Sequence, residues 1–203
     1  MITLVDYGVG NLFSLKSSFA CVGDEACVTG DPDEVFRADK IILPGVGAFG
    51  DAADKLRALG MDDALRQAAK KGTPLLGICL GMQMLFDASE EYGHHPGLSL
   101  IPGRVIGMKG LIPKDLKIPH IGWNALHFTA KKSPLMKNVR EGDCVYFVHS
   151  YYAAECESAV TATAEYGLEL TAAVEKDNVF GCQFHPEKSG RVGLHILKAF
   201  CEL

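Results

Sequence analysis

The sequence predicts an α/β protein built on a doubly wound, mostly parallel sheet with added antiparallel strands. Two observations carry that expectation. In the first half, short apolar runs of β type alternate with segments of helical spacing. A βαβα rhythm makes neighbouring strands parallel and puts helices on both faces. In the second half, short strand-like runs follow one another across turns, which adds antiparallel strands. A length of 203 residues with 48% hydrophobic residues suits a single domain over 1–203, with a core that needs no metal, cofactor or disulfide.

The elements follow in order. Ile2–Asp6 reads as the first strand, and Leu12–Val22 has helical spacing with Asn11 placed to cap it. Ala26–Thr29 is a second strand, and Lys40–Leu43 a third, closed by Pro44-Gly45. Asp51–Leu59 and Met61–Lys70 are amphipathic, and Gly72 stops the second of them. Leu75–Ile78 is the next strand, and a helix over Leu80–Phe86 starts straight after Cys79. Val105–Met108, Cys144–Val148, Val160–Ala164, Thr171–Val174 and Val179–Gln183 read as later strands, and Gly190–Phe200 as the final helix.

Composition narrows the function. The net charge of −5 and the lack of any basic run beyond Lys131-Lys132 argue against nucleic acid as a partner. No apolar run is long enough for a membrane span. The start reads as a strand and not as a signal peptide. The 7 cysteines are scattered without a C-x-x-C pair, which fits a reducing cytoplasm. His94-His95 lack further ligands at a zinc spacing, so no metal is expected. Gly8-Val9-Gly10 suggests a dinucleotide loop, but Phe13 stands where its third glycine belongs, which rejects it.

The chemistry concentrates at two places. Gly77-Ile78-Cys79-Leu80-Gly81 follows a strand and opens a helix. A sharp strand-to-helix turn presents one side chain above a sheet, as the related G-x-S-x-G elbow presents serine. Side chains two residues away would collide there, so glycines fit at 77 and 81. The Leu80 N–H and the helix start favour a thiolate. His185-Pro186-Glu187 follows the last strand, and residues spaced two apart point the same way. His185 would take and return the cysteine proton, and Glu187 would orient the imidazole. Pro44-Gly45-Val46-Gly47 is either an ordinary βα turn or a mobile peptide that aims an N–H at an oxyanion. His149-Ser150-Tyr151 ends a strand that can share the sheet edge with Cys79. Trp123 fits core or interface equally.

Together the elbow and the H-P-E segment resemble the triad-type (class I) glutamine amidotransferases. Asp6–Leu12, Pro44–Gly47, Gly77–Gln83, His120–Asn124, Tyr146–Tyr151 and Gln183–Ser189 resemble one branch, the glutaminase subunits of imidazole glycerol phosphate synthase. The likeness runs in order along nearly the whole chain. It implies a flavodoxin-like sheet, L-glutamine as substrate and a (β/α)8 cyclase subunit as heterodimer partner in histidine biosynthesis. It assigns Cys79, His185 and Glu187 as the triad, and Leu80 and Val46 as oxyanion donors. It places Gly47, Gln83, Glu91, Ser150 and Tyr151 at glutamine, and Asn11, Trp123, Asn124 and Lys188 toward the cyclase. Three rival readings remain: a stand-alone γ-glutamyl cysteine hydrolase, the glutaminase of another pathway such as vitamin B6 synthesis, and a non-enzymatic interaction subunit.

Overall fold

The computed structural model describes residues 1–203. The first half contains β1 (Ile2–Val5), α1 (Leu12–Cys21), β2 (Ala26–Thr29), α2 (Pro32–Arg37), β3 (Lys40–Leu43), α3 (Phe49–Ala58), α4 (Met61–Lys71) and β4 (Leu75–Ile78). The second half begins with α5 (Leu80–Gln83), β5 (Ala88–Ser89), β6 (His95–Pro96), β7 (Arg104–Gly107), β8 (His120–Ala125) and β9 (His127–Phe128). It continues with β10 (Cys144–His149), β11 (Tyr151–Ala154), β12 (Val160–Glu165), β13 (Glu169–Lys176), β14 (Val179–Cys182) and α6 (Gly190–Cys201). No helix is long and apolar enough to cross a membrane.

The main sheet has eight strands in the order β2-β1-β3-β4-β14-β13-β12-β9. The five strands from β2 to β14 are parallel, and β13, β12 and β9 extend the sheet antiparallel. The predicted architecture is therefore the observed one. Period-2 alternation decides which side each residue serves. Ile41, Leu43 and Leu75 pack with Val35, Leu56 and Leu65 of α2, α3 and α4. Ile42, Leu76 and Ile78 pack with Leu15 and Phe19 of α1 and with Ile196, Leu197 and Phe200 of α6. Each fully buried side chain of this size contributes roughly 1.5–3 kcal/mol. The two apolar faces lock the strand ends that carry the site.

The structure departs from the expected elements in four places. The strands predicted near Val105 and Cys144 leave the main sheet and form smaller ones, β11-β7-β5-β6 and β10-β8. Strand β8 escapes the pattern because its apolar Ile121 and Trp123 are exposed while polar His120 is buried, yet it pairs along its whole length with β10. The helix expected over Leu80–Phe86 is a single turn, Leu80–Gln83. The carbonyls of Met84, Leu85 and Phe86 accept instead from the N–H groups of Leu98, Leu100 and Ser99. The N–H groups of Leu85 and Phe86 meanwhile donate three residues back, to the carbonyls of Met82 and Gln83, so the i→i+4 ladder has already given way to a tighter turn. The six-residue helix α2, too short for a periodic signal, was also not expected; Asp31 caps it and Pro32 opens it.

Candidate active site

The main parallel strands end at one edge, where ligands bind in open α/β sheets. β4 stops at Ile78, and Cys79 takes φ 54° and ψ −111°, a left-sided backbone that few non-glycine residues adopt. Close packing holds it there. A Cβ on Gly77 would sit 2.5 Å from the Gly81 carbonyl oxygen, and one on Gly81 would sit 1.8 Å from that of Leu43. Both glycines are needed for approach distance. The Cys79 N–H donates to the Cys182 carbonyl at 2.7 Å, tying the turn to β14.

That tie brings the second motif alongside. β14 runs parallel to β4 with Cys182 opposite Ile78, and the chain continues through Gln183 and Phe184 to His185. His185 Nδ1 lies 2.8 Å from Glu187 Oε1. The two side chains are only 4% and 2% exposed. Strand β10 supports the pair: the His185 N–H donates to the Tyr146 carbonyl at 2.9 Å. Ser189 Oγ donates to the His185 carbonyl at 2.7 Å and accepts from the Tyr146 N–H at 3.0 Å. Burial opposes charge on His185, but Cys79 and Glu187 outweigh it through hydrogen bonding and negative charge, and push the imidazole up to about 9. The Cys79 contribution acts without a well-formed bond, since His185 Nε2 is buried and has no partner in hydrogen-bond geometry.

A cleft of about 330 Å³ opens over Cys79, within the size range of small-molecule sites. Val46, Gly47, Leu80, Gln83, Glu91, Ser150 and Tyr151 line it together with Cys79 and His185. The N–H groups of Val46 and Leu80 donate to no group of the chain. Tyr7 Oη holds the loop before Val46 by donating to the Pro44 carbonyl at 2.7 Å. Glu91 Oε2 accepts from the Phe49 N–H at 2.7 Å, at the start of α3. Gln83 Nε2 donates to the Tyr151 carbonyl and to Gln183 Oε1, both at 3.0 Å. Gln83 therefore braces the cleft wall with its amide hydrogens.

The remaining predicted positions lie around this centre. Glu187 stands behind His185 and does not line the cleft. Lys188 reaches the cleft and lies 5.9 Å from the Tyr146 ring centre. Trp123 meets the same ring edge-on at 6.0 Å and is 55% exposed, so the interface alternative matches its exposure. Asn124, the residue before the last of β8, bonds to His120 and the Glu165 carbonyl. Asn11 is exposed and caps α1, accepting from the Ser14 N–H at 3.1 Å. Sequence reasoning missed Gln183 and His120, which are 0% exposed. Gln183 Nε2 points at Cys79 Sγ from 3.8 Å. Its only signal was a polar residue at the end of an apolar strand.

Comparison with known proteins adds an independent line. The family model described as glutamine amidotransferase class-I matches residues 4–202. A Syntrophotalea carbinolica protein called imidazole glycerol phosphate synthase subunit HisH is 50% identical, with 100% of both chains covered. A Geobacillus thermodenitrificans protein of the same name is also 50% identical, covering 98% of this chain and 94% of its own. Among solved structures, a glutamine amidotransferase superposes with a TM-score of 0.76 at 19% identity, over 99% of this chain and 100% of that one. PurLQS from Thermotoga maritima gives 0.74 at 19% identity, over 99% and 97%. At that identity the two structures speak for the fold alone.

Proposed function

The chain belongs to the class-I glutamine amidotransferase family, in its branch of imidazole glycerol phosphate synthase HisH subunits, and on that premise we propose that it frees ammonia from L-glutamine for a cyclase partner. The observation that carries the reading is a strained Cys79 beside His185 in a cleft of about 330 Å³, with Glu187 buried behind the imidazole.

Cys79 Sγ attacks the side-chain amide carbon of glutamine. His185 takes the thiol proton and delivers it to the departing nitrogen, so ammonia leaves and a glutamyl thioester remains. His185 then takes a proton from water, which attacks the thioester, and returns that proton to Cys79 as glutamate leaves. Glu187 fixes the imidazole through Nδ1 and stabilises its charged form. The Leu80 N–H, at the start of α5, donates to the oxyanion in both steps. The Val46 N–H is the second donor, on a loop whose Val46 side chain is 44% exposed. Gly47, Gln83, Glu91, Ser150 and Tyr151 hold the amino-acid end of glutamine: Glu91 meets its ammonium, and the Ser150-Tyr151 backbone meets its carboxylate.

Free ammonia is protonated in water and lost to the reaction, so hydrolysis is useful only beside its consumer. Asn11, Trp123, Asn124 and Lys188 form the face toward a (β/α)8 cyclase in a cytoplasmic heterodimer. There the ammonia converts PRFAR to imidazole glycerol phosphate and AICAR in histidine biosynthesis. The whole chain acts as one amidotransferase domain, without a cofactor. The HisH names of the relatives favour this over the vitamin B6 branch.

The test is transfer of a label. In the reconstituted complex, glutamine labelled with ¹⁵N at its side-chain amide should yield imidazole product carrying ¹⁵N. Hydrolysis without transfer, at any nucleotide concentration, would leave a stand-alone hydrolase as the correct reading.

A further inference from the structure

A run of hydrogen bonds crosses from exposed strand β8 to the nucleophile. Asn124 Nδ2 donates to the Glu165 carbonyl at 2.9 Å, which leaves its Oδ1 as the atom 2.8 Å from His120 Nε2. His120 Nδ1 and His149 Nε2 are 3.1 Å apart. His149 Nδ1 is 2.8 Å from the Tyr151 carbonyl oxygen. That oxygen also accepts from Gln83, and Gln83 bonds to Gln183, which points at Cys79.

The count of hydrogens along this run does not close with neutral rings. Asn124 Oδ1 and the Tyr151 oxygen only accept, so each needs an N–H from the imidazole facing it. A neutral imidazole has one N–H. Two neutral rings spend both on the outer contacts and leave two lone pairs facing each other at 3.1 Å. A third hydrogen between the rings satisfies all three contacts at once. We propose that His120 and His149 are positioning residues that share one extra proton, and that this proton fastens the Ser150-Tyr151 wall of the glutamine cleft to strand β8.

The surroundings set the terms. Both rings are buried, and His120 stacks between Phe147 and Tyr166 at 5.1 and 4.0 Å. The titratable groups facing the pair are Tyr166 and His185, and the charge of His185 opposes a proton on His149. Burial lowers His149 to about 4 against the upward pull of the Tyr151 carbonyl, and it lowers His120 as well. A shared proton spreads its charge over both rings and completes the middle bond. The pair therefore takes its first proton more readily than either ring alone and resists the second, as coupled sites do. When the proton leaves, one outer contact must break, and either Asn124 or the Tyr151 carbonyl is released.

Nitrogen NMR of the full chain with ¹⁵N-labelled histidine tests the proton directly, and only the kinetic arm rests on the proposed glutaminase reading. Near pH 6 the pair should show three protonated nitrogens out of four, and it should lose one as the pH rises toward 8, across the range in which histidine ordinarily titrates. Two neutral rings across that whole range would overturn the proposal. In His120→Asn, the amide can donate to His149 Nε2 without a third proton, so His149 should become a plain neutral tautomer. In the active complex, the glutamine KM of the wild type should rise severalfold as the pair deprotonates, with kcat following the triad. The KM of His120→Asn should be flat over that range, and an unchanged KM profile would remove the positioning role. If His120→Asn fails to fold, the wild-type spectrum still decides the proton. An inactive complex would count against the glutaminase reading and leave the NMR result standing.

Discussion

The two sides of the cleft are built differently. On the Cys79 side, glycine contacts, the β4–β14 register and the β10 support fix nucleophile and base to within one arrangement, and the reacting side chains are buried. On the Pro44–Gly47 side, Val46 and Gly47 are exposed, and the loop is held from its ends by Tyr7 and Glu91. The contrast separates chemistry from control. A preassembled nucleophile and base can react whenever glutamine binds, so in the proposed function any restraint is assigned to the oxyanion side. Losing one oxyanion donor costs about 3–4 kcal/mol, a hundredfold or more in rate. On that proposal, one exposed peptide is enough to keep a complete triad idle.

Changes on the rigid side should have the largest effects. Cys79→Ala removes the nucleophile, and glutamate release in the complex should fall by about 10⁴ or more. Survival of glutamine-dependent activity, measured by glutamate release, would break the assignment. Glu187→Gln keeps the shape but loses the charge that orients and stabilises the imidazolium, a loss of roughly 10²–10⁴ in kcat. It should also change the pH profile. His185 is raised to about 9 in the folded chain, above the usual 6.5. Its imidazolium, and the stability that comes with it, is fully present below about 6.5 and is lost as pH rises through about 9. The alkaline limb of kcat should fall near that value and move to lower pH in Glu187→Gln. An unmoved limb would mean that Glu187 does not tune the base.

The exposed side should respond more gently. Tyr7→Phe removes one buried hydrogen bond to Pro44, about 1 kcal/mol of stability. It should change the ratio of partner-free to partner-bound glutaminase activity more than the bound rate itself. Equal changes in both would sharpen the comparison against a controlling loop. Smallest in stability is Trp123→Ala, within about 0.5 kcal/mol because the side chain is exposed. Its effect should appear as weaker binding of the cyclase in titration calorimetry.

The same contrast explains what the sequence could reveal. The elbow was legible because its glycines and cysteine are adjacent in the chain and constrain one another locally. The parallel core was legible because apolar alternation is a local signal. Strand β8, the one-turn α5 and the Gln83–Gln183 brace were not, because each is decided by partners far away in sequence. After α5 the chain turns tightly through Met84–Phe86, whose carbonyls bond to Leu98–Leu100, and no window around Leu80 contains that information. Gln83 lines the cleft as the resemblance implies, and its amide hydrogens also brace Tyr151 and Gln183, a role set by residues far away in sequence.

The most direct test of control from the oxyanion side is glutaminase turnover of the isolated chain against the same chain in complex with cyclase and nucleotide, at saturating glutamine. The account predicts slow release of glutamate alone and a rise of about a hundredfold or more in the complex, the worth of one donor. Full turnover by the isolated chain would contradict it.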